Sequence, residues 1–154
     1  MIITFIGHAD VIISEKTKKE IKNYLTNVIL DRDDILFYCG GYGCFDSFCA
    51  ALCQELKQIN RFIKVVFITP YITLEYQKRI KDVIESGNYD YSLYPPIEKT
   101  PYRFAISKRN EWMINESDLI VAYVKRTYGG AYKSILYARR KKKQIMNFAD
   151  CNSV

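Results

Sequence analysis

The stretch FYCGGYGCFDS, residues 37–47 of this 154-residue chain, is predicted to join a buried strand to a helix through a glycine turn. A short apolar run ends at Gly40 and Gly41, a third glycine follows at Gly43, and Asp46 opens a predicted helix. Because glycine lacks Cβ, the backbone amides of such a turn can approach a ligand closely. A turn from a buried strand into a helix N-terminus is typical of an anion site. Asp46 is equally well explained as the N-cap of that helix.

A second turn of the same kind, RTYGGAYKS, occupies residues 126–134. It follows the apolar run LIVAYV at 119–124 and also opens a predicted helix. Each glycine pair alone is a weak signal, but two strand–glycine–helix turns in one small domain favour one shared site. Tyr42, Tyr128 and Tyr132 flank the glycines and are candidates for stacking on a base.

Apolar runs alternate with helical patterns along the whole chain. This alternation predicts one α/β domain over residues 1–154, a Rossmann-like, doubly wound and mostly parallel sheet with helices on both faces. Ligands bind such sheets at the carboxyl ends of the strands, so both glycine turns are expected at one edge. The predicted strands are IITFI, ILFYC, KVVFI, YSLYPP, LIVAYV and QIMNF, and the predicted helices run from 14 to 30, from 46 onward, and over 74–86, 103–116 and 130–143.

Composition excludes several classes of protein. The chain is 49% hydrophobic, yet no apolar run is long enough to cross a membrane. The start MIITFIGHAD lacks the basic region of a signal peptide, so a cytoplasmic location is expected. The five cysteines, including Cys151, are expected to be thiols, and with one histidine, His8, neither a metal nor a cofactor is expected.

Positive charge points to an anionic partner. The net charge of +6 suits an anionic ligand or nucleic acid, although much of it lies in ARRKKKQ, 138–144, which is explained as a solvated helix end. Arg103, Lys108 and Arg109 place three cations on about two turns of one predicted helix. One arginine near the carboxyl edge of the sheet is expected to bind a phosphate or carboxylate through two parallel hydrogen bonds.

The order of these segments resembles the SLOG superfamily, which contains the lonely-guy phosphoribohydrolases and the Rossmann domain of DNA-processing protein A. The resemblance rests on GH at 7–8 and on the segments CGGYGCFDSFCAAL, RFAISKRNEWMINESDLIVAYV and YGGAYKSILYARRKKKQIMN. It covers the chain from Ile2 to about Phe148. GGYGCFD is similar to the GGAxGxD turn of the DNA-processing branch.

The resemblance implies a nucleotide or nucleotide-derived ligand between the two glycine turns, and self-association as a homodimer or larger assembly. A phosphate is expected on the first turn, with the second turn nearby. SFCAAL, 47–52, is expected to supply apolar helix surface for self-association. No catalytic residue is assigned. The predicted ligand-binding residues are Gly7, His8, Gly40, Gly41, Tyr42, Gly43, Asp46, Arg103, Arg109, Tyr128, Gly129, Gly130, Ala131 and Lys133.

The sequence departs from the hydrolase branch at two positions that matter. That branch carries PGGxGTxxE, whose glutamate serves the chemistry, whereas Lys133 and Ser134 stand where an acid is needed here. Many small relatives have an arginine after the glycine–histidine pair, whereas this chain has Ala9. An enzymatic activity is therefore not favoured.

Three functions follow from these patterns. The favoured one is binding of a signalling nucleotide, of the cyclic or ADP-ribose type, by a sensor or sequestering protein; family resemblance gives bacterial defence or phage counter-defence as its setting. The second is a nucleotide N-glycosidase or phosphoribohydrolase that uses Asp46 or Glu111 as its acid. The third is a single-stranded DNA binder, although nucleic acid is not the expected partner. Steep salt dependence distinguishes this third function.

Overall fold

The computed structural model describes residues 1–149, so Cys151 lies outside the described part. A 3₁₀ turn at Tyr102–Phe104 precedes α4. The strands and helices, in chain order, are β1 Ile2–Gly7, α1 Glu15–Ile29, β2 Ile35–Cys39, α2 Gly43–Lys57, β3 Ile63–Ile68, α3 Leu74–Glu85, β4 Tyr91–Leu93, α4 Ala105–Glu116, β5 Leu119–Tyr123, α5 Gly129–Arg140 and β6 Gln144–Asn147.

The strands form one sheet in the order β4-β3-β2-β1-β5-β6. Every neighbouring pair is parallel, which confirms the predicted Rossmann-like α/β fold. The chain builds outward from β1 to β4 and then returns to the other side of β1 to place β5. The order therefore reverses between β1 and β5, and a crevice is expected at the carboxyl ends of these two strands.

The helices lie on both faces of the sheet, because alternate strand residues point to opposite sides. Ile3 and Phe5 of β1 belong to a core that includes buried residues of α1 and α2. Ile6 of β1 belongs to a second core, which contains Ile114 of α4 and Ile135 of α5. These two apolar layers hold the strand ends in place around the crevice.

Two helix starts illustrate local capping. Ser14 caps α1 as its sequence predicts, since its side chain accepts a hydrogen bond from the amide of Thr17. The prediction that α2 begins at Asp46 is wrong, because α2 begins at Gly43 and Tyr42 is its N-cap residue. Asp46 lies in the first turn and accepts a hydrogen bond from the Tyr42 amide at 3.0 Å.

The last helix ends earlier than predicted. α5 stops at Arg140, and Lys142 has a positive φ of 53° that turns the chain into β6. The basic run is also not wholly solvated, because Lys143 donates hydrogen bonds to the carbonyls of Asn115 and Ser117. A cation at these carbonyls stabilises the C-terminal end of α4.

Composition predicts that the cysteines are thiols and that no segment crosses a membrane. Cys39, Cys49 and Cys53 are buried thiols and Cys44 is an exposed thiol. No helix within residues 1–149 is both long enough and apolar enough to span a bilayer.

Candidate functional site

A cavity of about 340 Å³ opens at the carboxyl end of β1, between the loop that follows this strand and the start of α5. Its volume lies within the range of small-molecule sites. Both glycine turns line it, so they lie at one edge of the sheet as the sequence predicts. Of the predicted residues, the lining brings together Gly7, His8, Gly40, Tyr42, Asp46, Arg109, Tyr128, Gly129, Gly130 and Ala131.

Four predicted residues do not line the cavity. The exposed Arg103 places its guanidinium 4.7 Å from the ring centre of Phe104. Lys133 lies in a neighbouring groove between α4 and α5. Gly41 and Gly43 have positive φ, and a Cβ would overlap the Phe67 ring at Gly41 and the Ala9 backbone at Gly43. Glycine is therefore needed at both positions, because neighbouring parts of the chain occupy the space that a side chain would take.

Two backbone amides at the first glycine turn make hydrogen bonds within the protein. The Tyr42 amide donates to Asp46, and the Cys44 amide donates to the carbonyl of Ala9 at 2.8 Å. The carboxyl group of Asp46 thus occupies the place at the N-terminus of α2 that an anionic ligand would take. The first turn serves chiefly to hold α2 against the loop after β1.

Asp46 lines the cavity and is half-buried. Burial raises the pKa of Asp46 to about 6, against the opposing effects of the Tyr42 amide and the Arg109 charge. Asp46 therefore titrates close to neutral pH and can add or remove one negative charge from the cavity.

Arg109 connects the ends of two strands. Its side chain is buried, with 2% exposure, and its Nη1 donates to the carbonyls of Gly40 and Ile68 at 2.8 and 2.5 Å. Its Nε donates to the side chain of Asn110. Within residues 1–149, Nη2 donates no hydrogen bond, so the guanidinium keeps one group for a ligand in the cavity that it lines. Arg109 is thus first a structural cation.

The second glycine turn leaves its amides open. Tyr128 is the N-cap residue of α5 and makes no side-chain capping bond, and the first turn of α5 contains no acid. Nothing lies within 4 Å of the position that a Cβ would take at Gly129 or Gly130. An uncapped helix N-terminus with free space around its first two residues is suited to bind an anion.

Arg126 adds a cation to the same cavity. Its Nη1 lies 2.7 Å from Oδ1 of Asp10, and its backbone amide donates to Nε2 of His8 at 3.1 Å. Burial and the Arg126 charge lower the pKa of His8, which favours the neutral imidazole that accepts this hydrogen bond. Sequence reasoning missed Arg126 and Asp10 as site residues, although Arg126 opens the second glycine turn and Asp10 closely follows β1.

The two candidate acids of the enzymatic alternative have different positions. Asp46 lines the cavity, whereas Glu111 lies in the groove outside and pairs with Lys108 at 2.7 Å. Lys133 and Ser134 follow the second glycine turn, where the enzymatic alternative needs an acid; Lys133 lines the groove and Ser134 is buried. No group of three His, Cys, Asp or Glu side chains in the described part of the chain is placed to hold a metal ion.

The fold and cavity define a Rossmann-like α/β protein, and two solved structures share this fold. DNA processing protein A (DprA) from Streptococcus pneumoniae gives a TM-score of 0.63 at 12% identity, over 93% of this chain and 48% of that chain. DNA processing protein A from Helicobacter pylori, whose structure concerns its single-stranded DNA binding mode, gives 0.59 at 14% identity, over 94% and 63%.

The chain is similar to only part of each of these two proteins. The chain spans 48% and 63% of the lengths of those two proteins, and at such identities the likeness shows the fold alone. The sequence matches no protein-family model and no curated protein.

Proposed function

We propose that the cavity binds the phosphate of a nucleotide or nucleotide-derived signalling ligand, of the cyclic or ADP-ribose type. The observation that carries this proposal is the uncapped N-terminus of α5, with open space at Gly129 and Gly130 and Arg126 on the same cavity. Free amides, a helix dipole and a cation together select a phosphate group.

The phosphate is placed on α5 rather than on the turn at 40–43, where the sequence places it. The amides of Tyr42 and Cys44 are used within the protein, and a carboxyl group already lies beside them. A phosphate at α5 avoids that competition. Arg109, which lines the same cavity, is then a second cation available to the ligand.

The base is placed toward the mouth of the cavity. Tyr128 lines the cavity and is 68% exposed, so its ring is free to stack on a base. Tyr42 has less freedom, because its hydroxyl bonds to that of Tyr76 and the Arg109 guanidinium lies 5.7 Å from its ring centre. Tyr132 is partly buried against the α4–α5 core, so Tyr128 is the stronger stacking candidate.

The biological role that we propose is a sensor or a sequestering protein. It rests on the resemblance to the SLOG superfamily, whose implied setting is bacterial defence or phage counter-defence. Mass spectrometry of small molecules released on denaturing the purified protein tests this role most simply. Recovery of a nucleotide-type molecule supports it.

Arg126 gives a direct test of the site. Arg126→Ala removes a charge-assisted contact worth about 1.5–3 kcal/mol, so we expect a loss of about ten- to a hundredfold in affinity for ADP-ribose. Asp10→Asn releases Arg126 from its ion pair and should raise that affinity. Calorimetric titration measures both variants, and equal affinities in all three proteins would contradict the assignment of Arg126.

Single-stranded DNA is the second candidate ligand. The H. pylori protein of similar fold binds single-stranded DNA, and this chain carries a net charge of +6. An exposed aromatic and cationic cluster favours it: Tyr102 is 70% exposed and stacks on Tyr71 with ring centres 4.4 Å apart, beside Arg103. Binding of oligo-dT that weakens steeply between about 50 and 200 mM salt would favour this function.

Catalysis is the remaining alternative, and Asp46 is its candidate acid. We expect no sustained release of base from AMP or IMP, because α5, the helix that the second glycine turn opens, contains no carboxyl side chain. Multiple turnover that disappears in Asp46→Asn would favour a nucleotide glycosidase instead.

Self-association stays a prediction, but the residues that are candidates for the contact between copies are different. Within SFCAAL, Cys49, Ala50 and Leu52 are buried in the core, so this segment does not supply the expected apolar surface. Leu74 of α3 is 80% exposed and Ile72 before it is 53% exposed, and they are better candidates for a contact between copies. Light scattering at micromolar concentration tests for a dimer or larger assembly.

A further inference from the structure

A second recess adjoins the proposed phosphate site. A groove of about 610 Å³ runs between α4 and α5. Ile106, Asn110 and Gly130 line both this groove and the cavity. The two spaces are therefore neighbours that share lining residues.

The groove is strongly cationic. Lys133, Arg139 and Arg140 line it, and Glu111 is its one acidic lining residue within the described part of the chain. Glu111 is already paired with Lys108. Lys133 and Arg139 make no ion pair with residues 1–149, so their charge is available to an anionic ligand.

Apolar surface lies between these cations. Ile106 and Leu136 are 37% and 39% exposed, and both line the groove. Arg140 lies over the ring of Tyr137, with the guanidinium 5.7 Å from the ring centre. Apolar and aromatic surface beside free cations suits a molecule that carries both flat rings and phosphates.

The length of the groove sets the size of that molecule. Gly130 and Arg139 are nine residues apart on α5, and at 1.5 Å per residue this is about 14 Å along the helix axis. A phosphate held at the N-terminus of α5 lies at one end of this distance. A second phosphate-bearing unit is needed to reach the cations at the other end.

We propose that the groove between α4 and α5 binds the second phosphate-bearing half of a dinucleotide-length ligand whose first half occupies the cavity. This inference rests on the proposed function. It assigns Lys133, a predicted ligand-binding residue that lies outside the cavity, to the second half of the ligand, together with Arg139.

The test compares a short and a long probe. Calorimetric titration with AMP and with the linear dinucleotide 5′-pApA should show at least tenfold tighter binding of pApA by the unmodified protein. The double variant Lys133→Ala/Arg139→Ala should lose at least tenfold in affinity for pApA and keep its affinity for AMP within twofold. The double variant Lys19→Ala/Lys78→Ala, at exposed positions on α1 and α3, removes the same number of positive charges and is the control for change of net charge.

The outcomes separate this inference from the function on which it rests. Binding of AMP with no gain from pApA, or an equal loss of both probes in the double variant, overturns the groove assignment and leaves the cavity intact. Binding of ADP-ribose but of neither probe overturns the groove assignment alone, and binding of none of the three molecules overturns both proposals. Tighter binding of oligo-dT than of pApA, lost in the same double variant, assigns the groove to nucleic acid and also overturns the inference.

Discussion

The guanidinium of Arg109 shows how one buried cation supports an edge of the sheet. It bonds to the carbonyls that end β2 and β3, and its charge lowers the pKa of Asp46 against the effect of burial. We expect Arg109→Ala to lower the free energy of unfolding by about 2–5 kcal/mol, because the buried carbonyls of Gly40 and Ile68 both lose a charged donor and each unpaired group costs about 1–3 kcal/mol. Urea denaturation measures this loss.

Arg109→Lys is the matched variant for this prediction. It keeps the charge but not the fork that reaches Gly40 and Ile68, so it should recover part of the stability. If Arg109→Ala were as stable as the unmodified protein and only its ligand affinity fell, Arg109 would be a ligand contact and not a structural cation.

Asp46 gives the site a pH dependence whose sign follows from its raised pKa. The folded protein holds this proton up to about pH 6, whereas the unfolded chain loses it near 3.9. Asp46 therefore makes the protein less stable as the pH rises from about 4 to 6, by about 2 kcal/mol. Asp46→Asn should remove this fall while still accepting the Tyr42 amide.

Urea denaturation at several pH values measures the difference in stability between the two proteins. Subtracting the two curves cancels carboxylates with lowered pKa, such as Asp10 and Asp90, which contribute a slope of opposite sign. Parallel curves for the unmodified protein and Asp46→Asn between pH 4 and 7 would contradict the raised pKa.

The start of α2 depends on contact with the loop after β1. Gly43 has φ +86°, and a Cβ there would overlap the backbone of Ala9. Gly87 has φ +80° with nothing within 4 Å of a Cβ. Gly87→Ala should therefore cost only the conformational strain of about 1–2 kcal/mol, and Gly43→Ala should cost at least about 2 kcal/mol more. Thermal or urea unfolding of both variants makes the comparison, and equal losses would mean that the loop shifts freely.

The sequence predicts the order of strands and helices because each element carries its own local signal. Ile21 and Leu25 repeat with helical period in α1 and are both buried. IITFI reads as a strand buried on both faces, and β1 indeed lies inside the sheet. Local signals fail at the start of α2, where the side chain of Asp46 bonds backward to Tyr42 and not as an N-cap.

The candidate site is less predictable, because its contacts join distant parts of the chain. Gly129 and Gly130 are accessible to sequence reasoning through their turn. The pair of Arg126 and Asp10 joins residues 116 apart, and no local pattern reports such a contact. Likewise, the burial of Arg109 follows from carbonyls that lie 69 and 41 residues away.

At the scale of the whole molecule, the reversal of strand order between β1 and β5 creates the site. The loop after β1 and the start of α5 meet at this point, and the cavity and the groove both open beside it. The open N-terminus of α5, where we propose that the ligand phosphate binds, lies at this point.

Titration of ADP-ribose into the unmodified protein and into Gly130→Ala tests whether the N-terminus of α5 binds the ligand phosphate. Gly130 has ordinary φ and free space for a Cβ, so alanine should leave the thermal midpoint within about 2 °C. The new methyl group would take up free space where Gly130 lines the cavity, and we expect at least a tenfold loss of affinity, or about 1.4 kcal/mol. Unchanged affinity in a folded Gly130→Ala protein, or no binding of ADP-ribose by the unmodified protein, would contradict phosphate binding at the N-terminus of α5.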